Sequence, residues 1–141
     1  MRNYYIDSNI LTSFFIRNHP EHNHVKKILS KLRTESYLFI SNLVVDESWY
    51  ITYKISPSII SFKIYSKKYA TTIKKFLELH HVFLLNLSDK NVLKEALNAS
   101  HKFNLRPRDC FHYAYAKLTD STLVTNDNDF KKTDLDLLDF Q

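Results

Sequence analysis

The chain has 141 residues, 44% hydrophobic and 25% charged, with a formal charge of +5, as expected of one globular domain, 1–141, that buries about two-thirds of its unfolded surface. Glycine is absent, which excludes a glycine-lined phosphate loop of the P-loop or dinucleotide-binding kind and leaves left-handed turns to Asn or Asp. With a lone cysteine, Cys110, no run of ~20 apolar residues and no signal-peptide pattern, the expected setting is cytoplasmic, with no membrane contact.

The first predicted element is a strand, YYID (4–7), which ends in Asp7 and leads into the small polar pair Ser8 and Asn9. Helical spacing follows over 8–17 and 20–34, then a second strand, YLFIS (37–41). In ISNLVVDESWY (40–50) that strand passes into a helix predicted over 42–54. Glu47 there is in register with Leu43, Val44, Tyr50 and Ile51, read as the apolar stripe, so its carboxylate is expected to face inward. A buried carboxylate requires a cation, a proton or hydrogen bonds. Asp46 points some 100° away and is expected in solvent.

Residues 57–80 read as one long amphipathic helix. Ile59, Phe62, Tyr65, Tyr69, Ile73, Phe76 and Leu77 share a side, with Lys63, Lys67 and Lys74 opposite. Six of the 20 basic residues fall between Glu47 and Glu78, a stretch without an acid, and this local charge suggests a polyanionic partner. Pro20, Pro57 and Pro107 are each placed near a helix start.

A third strand, VFLLN (82–86), and a helix over 88–103 come next. Within NLRPRDCFHYAYAK (104–117), Pro107 opens a helix predicted over 107–118 and sets Asp109 in its first turn, where the helix dipole favours negative charge. Cys110 is read as a small buried hydrophobe and His112 as a hydrogen-bonded structural residue. The fourth strand, TLVTN (122–126), leads into LVTNDNDF (123–130). Asp127 is the first acid past that strand and Asp129 stands in reserve. A weaker strand is expected in LDLLDF near the end.

Continuous apolar strands separated by helices imply an α/β fold with a parallel sheet covered on both faces. Functional groups in such a sheet collect at the carboxyl ends of its strands. Acids converging there repel one another by several kcal/mol per close pair at an effective dielectric of about 20. An oxygen-only set of this kind suits Mg²⁺ or Mn²⁺.

The order and placement of these acids resembles the PIN-domain nucleases, most closely the VapC-like toxins of prokaryotic type II toxin–antitoxin pairs. The likeness runs from YYIDSNIL through ISNLVVDESWY and LRPRDCFHYAYAK to LVTNDNDF, almost the full chain. It implies a three-layer α/β/α sandwich with a parallel sheet of four or five strands. It also implies a Mg²⁺- or Mn²⁺-dependent endoribonuclease, forming a homodimer and inhibited by a small antitoxin. The family's acids correspond to Asp7, Glu47, Asp109 and Asp127, with Asp129 in reserve as a metal ligand. Ser8, Asn9 and Thr125 would orient them, and Lys63, Lys67, Lys74, Arg106 and Arg108 would hold the RNA backbone. Three other readings stay open: an RNA-binding or regulatory module without catalysis, a DNA or flap-type nuclease, and a phosphatase of the haloacid-dehalogenase type. The last begins with Asp-x-Asp, and here Asn9 replaces the second acid.

Overall fold

The structure, a computed structural model, describes residues 1–139. Its sheet has five strands: β1 (Arg2–Ile6), β2 (Ser36–Ile40), β3 (Val82–Leu84), β4 (Ser121–Thr125) and β5 (Leu137–Asp139). Their spatial order is β3-β2-β1-β4-β5 and every neighbouring pair is parallel. The predicted fifth strand is therefore present, shorter than LDLLDF; Phe140, its last residue, lies outside the described residues. β1 is central and its inner half, Tyr5 and Ile6, is fully buried. Helices connect successive parallel strands, as such connections require.

Six helices do so: α1 (Ser8–Phe15), α2 (His22–Glu35), α3 (Asn42–Lys54), α4 (Phe62–Leu79), α5 (Asp89–Phe103) and α6 (Pro107–Leu118). The first four pack together in a chain of contacts, α2 on α1, α1 on α3 and α3 on α4. α5 and α6 form a closely packed pair, with α6 lying against β1 and β4. The result is the expected α/β/α sandwich, its core built from Ile6, Ile10, Leu11, Leu29, Leu38, Ile40, Val44, Ala114, Leu123 and Val124.

Helix starts follow local chemistry. Ser41 caps α3 by accepting from Val44 N–H, and Ser61 caps α4 by accepting from Ile64 N–H. Pro107 occupies the first turn of α6, as predicted. Pro20 and Pro57 instead sit in the turns that precede α2 and α4. The fourth helix consequently begins at Phe62, five residues later than its apolar pattern suggested. Ile59 is 93% exposed and Phe62 52% exposed, so only Tyr69, Phe76 and their neighbours Ile73 and Leu77 reach the core. Left-handed positions are taken by Asn104 and Asp120, as the lack of glycine requires, and also by His81 at φ 52°.

α3 departs from its predicted stripe. Its buried line is Val44, Ser48 and Thr52, whereas Tyr50 is 56% exposed and Ile51 39%. The two hydroxyls tolerate burial because they are satisfied locally. Ser48 Oγ donates to Val45 C=O and bonds Tyr69 OH, and Thr52 Oγ1 donates to Ser48 C=O. Small polar residues let α1 and α4 approach this side, which turns the bulkier Tyr50 and Ile51 outward.

Candidate active site

Asp7 directly follows β1, and its backbone N–H still bonds Val124 C=O of β4 at 3.0 Å. Its side chain is the N-cap of α1. Oδ1 accepts from Ser8 N–H at 2.7 Å and Oδ2 accepts from Thr125 Oγ1 at 2.7 Å. Only 4% of the residue is exposed. Glu47 approaches from α3: Ser8 Oγ donates to its Oε2 at 2.7 Å and also lies 3.4 Å from Asp7 Oδ1. Ser8 thus ties the first two acids together. Asn9 Nδ2 donates to Thr125 Oγ1 at 3.4 Å, and that same oxygen accepts from Asp127 N–H at 3.0 Å. The buried Asn9 Oδ1 has no hydrogen-bond partner among the described residues.

His112 brings a positive group between the inner acids. From the second turn of α6 its Nε2 donates to Glu47 Oε1 at 2.8 Å and stands 3.6 Å from Asp7 Oδ1. The ring is 2% exposed. Its other nitrogen bonds Tyr5 OH at 3.0 Å, and Tyr5 OH bonds Ser41 Oγ at 2.6 Å. Burial alone would pull the imidazole pKa down, yet the charges of Asp7, Glu47 and Asp109 and the bond to Glu47 prevail and raise it above the ordinary value. Glu47 shifts the opposite way. Its burial pushes upward, but the His112 bond and charge, the Ser8 bond and the Arg108 guanidinium together hold it below the usual carboxylate range.

A second group of acids stands beside this pair. Asp109, in the first turn of α6, and Asp127 and Asp129, beyond β4, place one ligand oxygen each within 4.8 Å of one another. Asp127 caps the short 3₁₀ turn Asn128–Lys132 by accepting from Asp129 N–H at 2.9 Å, which folds the two acids toward one side. Asp109 shows what this proximity costs. Burial first, then the negative charges of Asp127 and Asp7, raise its pKa, with His112 countering in part.

All the sequence-predicted acids, Asp7, Glu47, Asp109, Asp127 and Asp129, therefore gather at the carboxyl edge of β1 and β4, in two linked groups. Ser8, Asn9 and Thr125 lie among them. Arg108 reaches Glu47 electrostatically, and Arg106 is the exposed residue preceding α6. Lys63, Lys67 and Lys74 are exposed on α4, and among the described residues no hydrogen bond or ion pair joins them to the acids. Asp46 is exposed, as predicted. What sequence reasoning missed is His112, read as structural only; it is hydrogen-bonded, but to the site. Its signal was available: it lies three residues after Asp109, one turn along the same helix face.

Does a divalent cation fit? The donors are hard carboxylate oxygens, three of them mutually close and with Asp109 under repulsion from its neighbours, which is the donor set for Mg²⁺ or Mn²⁺. Asp7 and Glu47 have their oxygens engaged by Ser8, Thr125 and His112, so Asp109, Asp127 and Asp129 are the more open ligands.

A family model described as PIN domain matches residues 4–135. Among solved structures, VapBC2 from Rickettsia felis, bound to a DNA fragment from its promoter, is similar at TM-score 0.75 and 20% identity, over 99% of both chains. VapC20 from Mycobacterium tuberculosis, a Sarcin-Ricin loop cleaving toxin, is similar at TM-score 0.73 and 11% identity, over 96% of this chain and 98% of that one. VapBC-1 from nontypeable Haemophilus influenzae gives 0.71 and 16%, over 98% of both. No curated protein shows a significant sequence match.

Proposed function

The chain belongs to the PIN-domain family, and from that premise we propose that it is a metal-dependent endoribonuclease, the toxin of a toxin–antitoxin pair. The observation that carries the proposal is the gathering of five carboxylates, with one buried histidine, at a single edge of the sheet. The neighbour VapC20 is a Sarcin-Ricin loop cleaving toxin, which supports RNA as the substrate, and the VapBC neighbours support a small antitoxin partner. Among the described residues no helix is long and apolar enough to cross a membrane.

In this reading Asp109, Asp127 and Asp129 hold Mg²⁺ or Mn²⁺ on the open side, and Asp7 and Glu47 complete the site from within. The chemistry such an ion supplies is acidification of water and neutralisation of charge on phosphoryl oxygens. The protein's own residues set the geometry. Ser8 and Thr125 fix Asp7 by two hydrogen bonds of 2.7 Å, so its carboxylate cannot rotate away. His112 fixes Glu47 and balances part of the negative charge that would otherwise repel an RNA phosphate. Arg106, Arg108 and the lysines of α4 attract and hold the phosphate backbone. The chain works as a homodimer, the arrangement its family resemblance implies.

Purified protein with a single-stranded RNA oligonucleotide tests the reading. Cleavage is expected in Mn²⁺ and not in chelator, and Asp7→Asn is expected to reduce it at least ~100-fold with unchanged far-UV circular dichroism. Full activity of Asp7→Asn would sink the assignment.

A further inference from the structure

A cleft of about 320 Å³ opens immediately beside Glu47, walled by Asp46, Glu47, Tyr50 and Ile51 of α3 and by Arg108 of α6. That volume is at the low end for a ligand cleft and has the scale of one nucleotide. Its residues repeat at helical spacing: Asp46 and Tyr50 are one turn apart, as are Glu47 and Ile51, so all four line one stretch of helix surface. Tyr50 is not needed for packing, because α3 buries Val44, Ser48 and Thr52 instead. Its ring is 56% exposed, and Lys54 Nζ stands 5.1 Å from its centroid. Among the described residues the side chains of Asp46 and Arg108 make no hydrogen bond or ion pair. The cleft therefore offers a half-exposed aromatic ring together with a carboxylate and a guanidinium that have no hydrogen-bond partner among the described residues.

We propose that this cleft is a nucleobase subsite, which seats the nucleotide adjoining the scissile phosphate and favours guanine there. The proposal rests on the ribonuclease reading and adds its specificity. Single-stranded RNA is recognised by stacking unpaired bases on aromatic side chains and by hydrogen bonds to their Watson–Crick edges. Tyr50 supplies the stacking surface. Asp46, one turn earlier, presents two acceptor oxygens, and guanine carries two neighbouring donors, N1–H and the N2 amino group, on that edge. Uracil offers a single N–H between two carbonyls and would set its oxygens against the carboxylate. Arg108 faces the pair from α6, where it holds the phosphate of the same nucleotide. Glu47 forms the inner wall, so a base seated here lies one nucleotide or less from the acids.

The test maps cleavage sites on a randomised single-stranded RNA pool in Mn²⁺ for the wild type, Asp46→Ala, Tyr50→Phe and Tyr50→Leu. The wild type is expected to enrich guanine at one position next to the cut, and Asp46→Ala to even out the four bases. Tyr50→Leu should raise KM about tenfold or more with kcat within about twofold, while Tyr50→Phe retains the wild-type KM. A preference for another base, or a profile unchanged in Asp46→Ala and Tyr50→Leu, overturns the proposal. If the wild type cuts no RNA, the ribonuclease reading itself has failed, and fluorescence anisotropy in Ca²⁺ decides the cleft. Tighter binding of an oligouridine carrying one guanine than of oligouridine alone, lost in Tyr50→Leu, supports the subsite; equal binding by the wild type overturns it.

Discussion

His112 is the residue on which the two inner carboxylates depend. Asp7 and Glu47 are nearly buried, and the imidazole is their shared counter-charge, held in turn by Tyr5. Removing one partner of a buried ionic group leaves uncompensated charge and costs about 3–5 kcal/mol. His112→Ala is therefore expected to lower the urea midpoint of the metal-free protein sharply, with part of the loss recovered on adding Mn²⁺; an unchanged midpoint would show that the pair is not stabilised this way. The same residue marks how far the sequence could be read. Three of the acids were legible because they stand at predictable boundaries, a strand end for Asp7 and Asp127 and a proline-led helix start for Asp109, whereas the inward register that pointed to Glu47 counted Tyr50 and Ile51, which are exposed. His112 was legible only in part: its place one turn after Asp109 is visible, but its partners lie 65 and 105 positions away in sequence, and only the folded sheet brings them together.

At the scale of elements, strand and helix identities followed from apolar runs and spacing, but helix faces proved harder. α3 buries two hydroxyl residues whose bonds are satisfied within the helix and by Tyr69, so hydropathy pointed to Tyr50 and Ile51 in their place. α4 begins only where Ser61 can cap it. Its exposed lysines form a basic surface, and each phosphate they neutralise adds about 0.7 to the salt slope of single-strand binding. Replacing Lys63, Lys67 and Lys74 with Ala should lower the slope of log K against log[salt] by up to ~2; an unaltered slope would remove this helix from the contact. The other end of α4 carries a pH dependence. The ring of His80 packs between Phe14 and Phe76, both 5.1 Å away between centroids. Burial first, then the charges of Arg33, His81 and Lys26, depress its pKa, and Arg17, His22 and Lys75 line the same cavity. A base with a depressed folded pKa binds more protons when unfolded, so stability is present above the ordinary ~6.5 and is lost as pH falls toward the folded value. His112 and Asp109, whose pKa values are raised, act in the opposite direction in both proteins, so the contribution of His80 is read as a difference: on going from pH 7.5 to 5 the urea midpoint of His80→Phe should shift upward relative to that of the wild type, and a constant gap would remove His80 from the pH dependence.

Across the whole molecule, the order β3-β2-β1-β4-β5 decides the chemistry. It sets β1 and β4 side by side, so the acid ending the first strand meets those that follow the fourth, and it aims the start of α6 at the same edge. Such an arrangement is electrostatically costly until a cation arrives. Asp109, Asp127 and Asp129 repel on the order of 1–3 kcal/mol per pair once solvent screening is allowed for. The helix dipole returns only about 0.3–1 kcal/mol to Asp109 in the first turn of α6, so repulsion wins. An acid whose folded pKa is raised loses stability as pH rises from its ordinary ~3.9 through the folded value. At neutral pH the metal-free protein thus carries the full penalty. Asp109→Asn should melt at a higher temperature than the wild type in chelator. In Mn²⁺ the order should reverse: at a hundredfold excess over Kd the wild type gains about 2.7 kcal/mol, and the variant gains little. Parallel thermal shifts in the two proteins, or a metal-free Asp109→Asn less stable than the wild type, would mean that these carboxylates are not a strained site waiting for an ion.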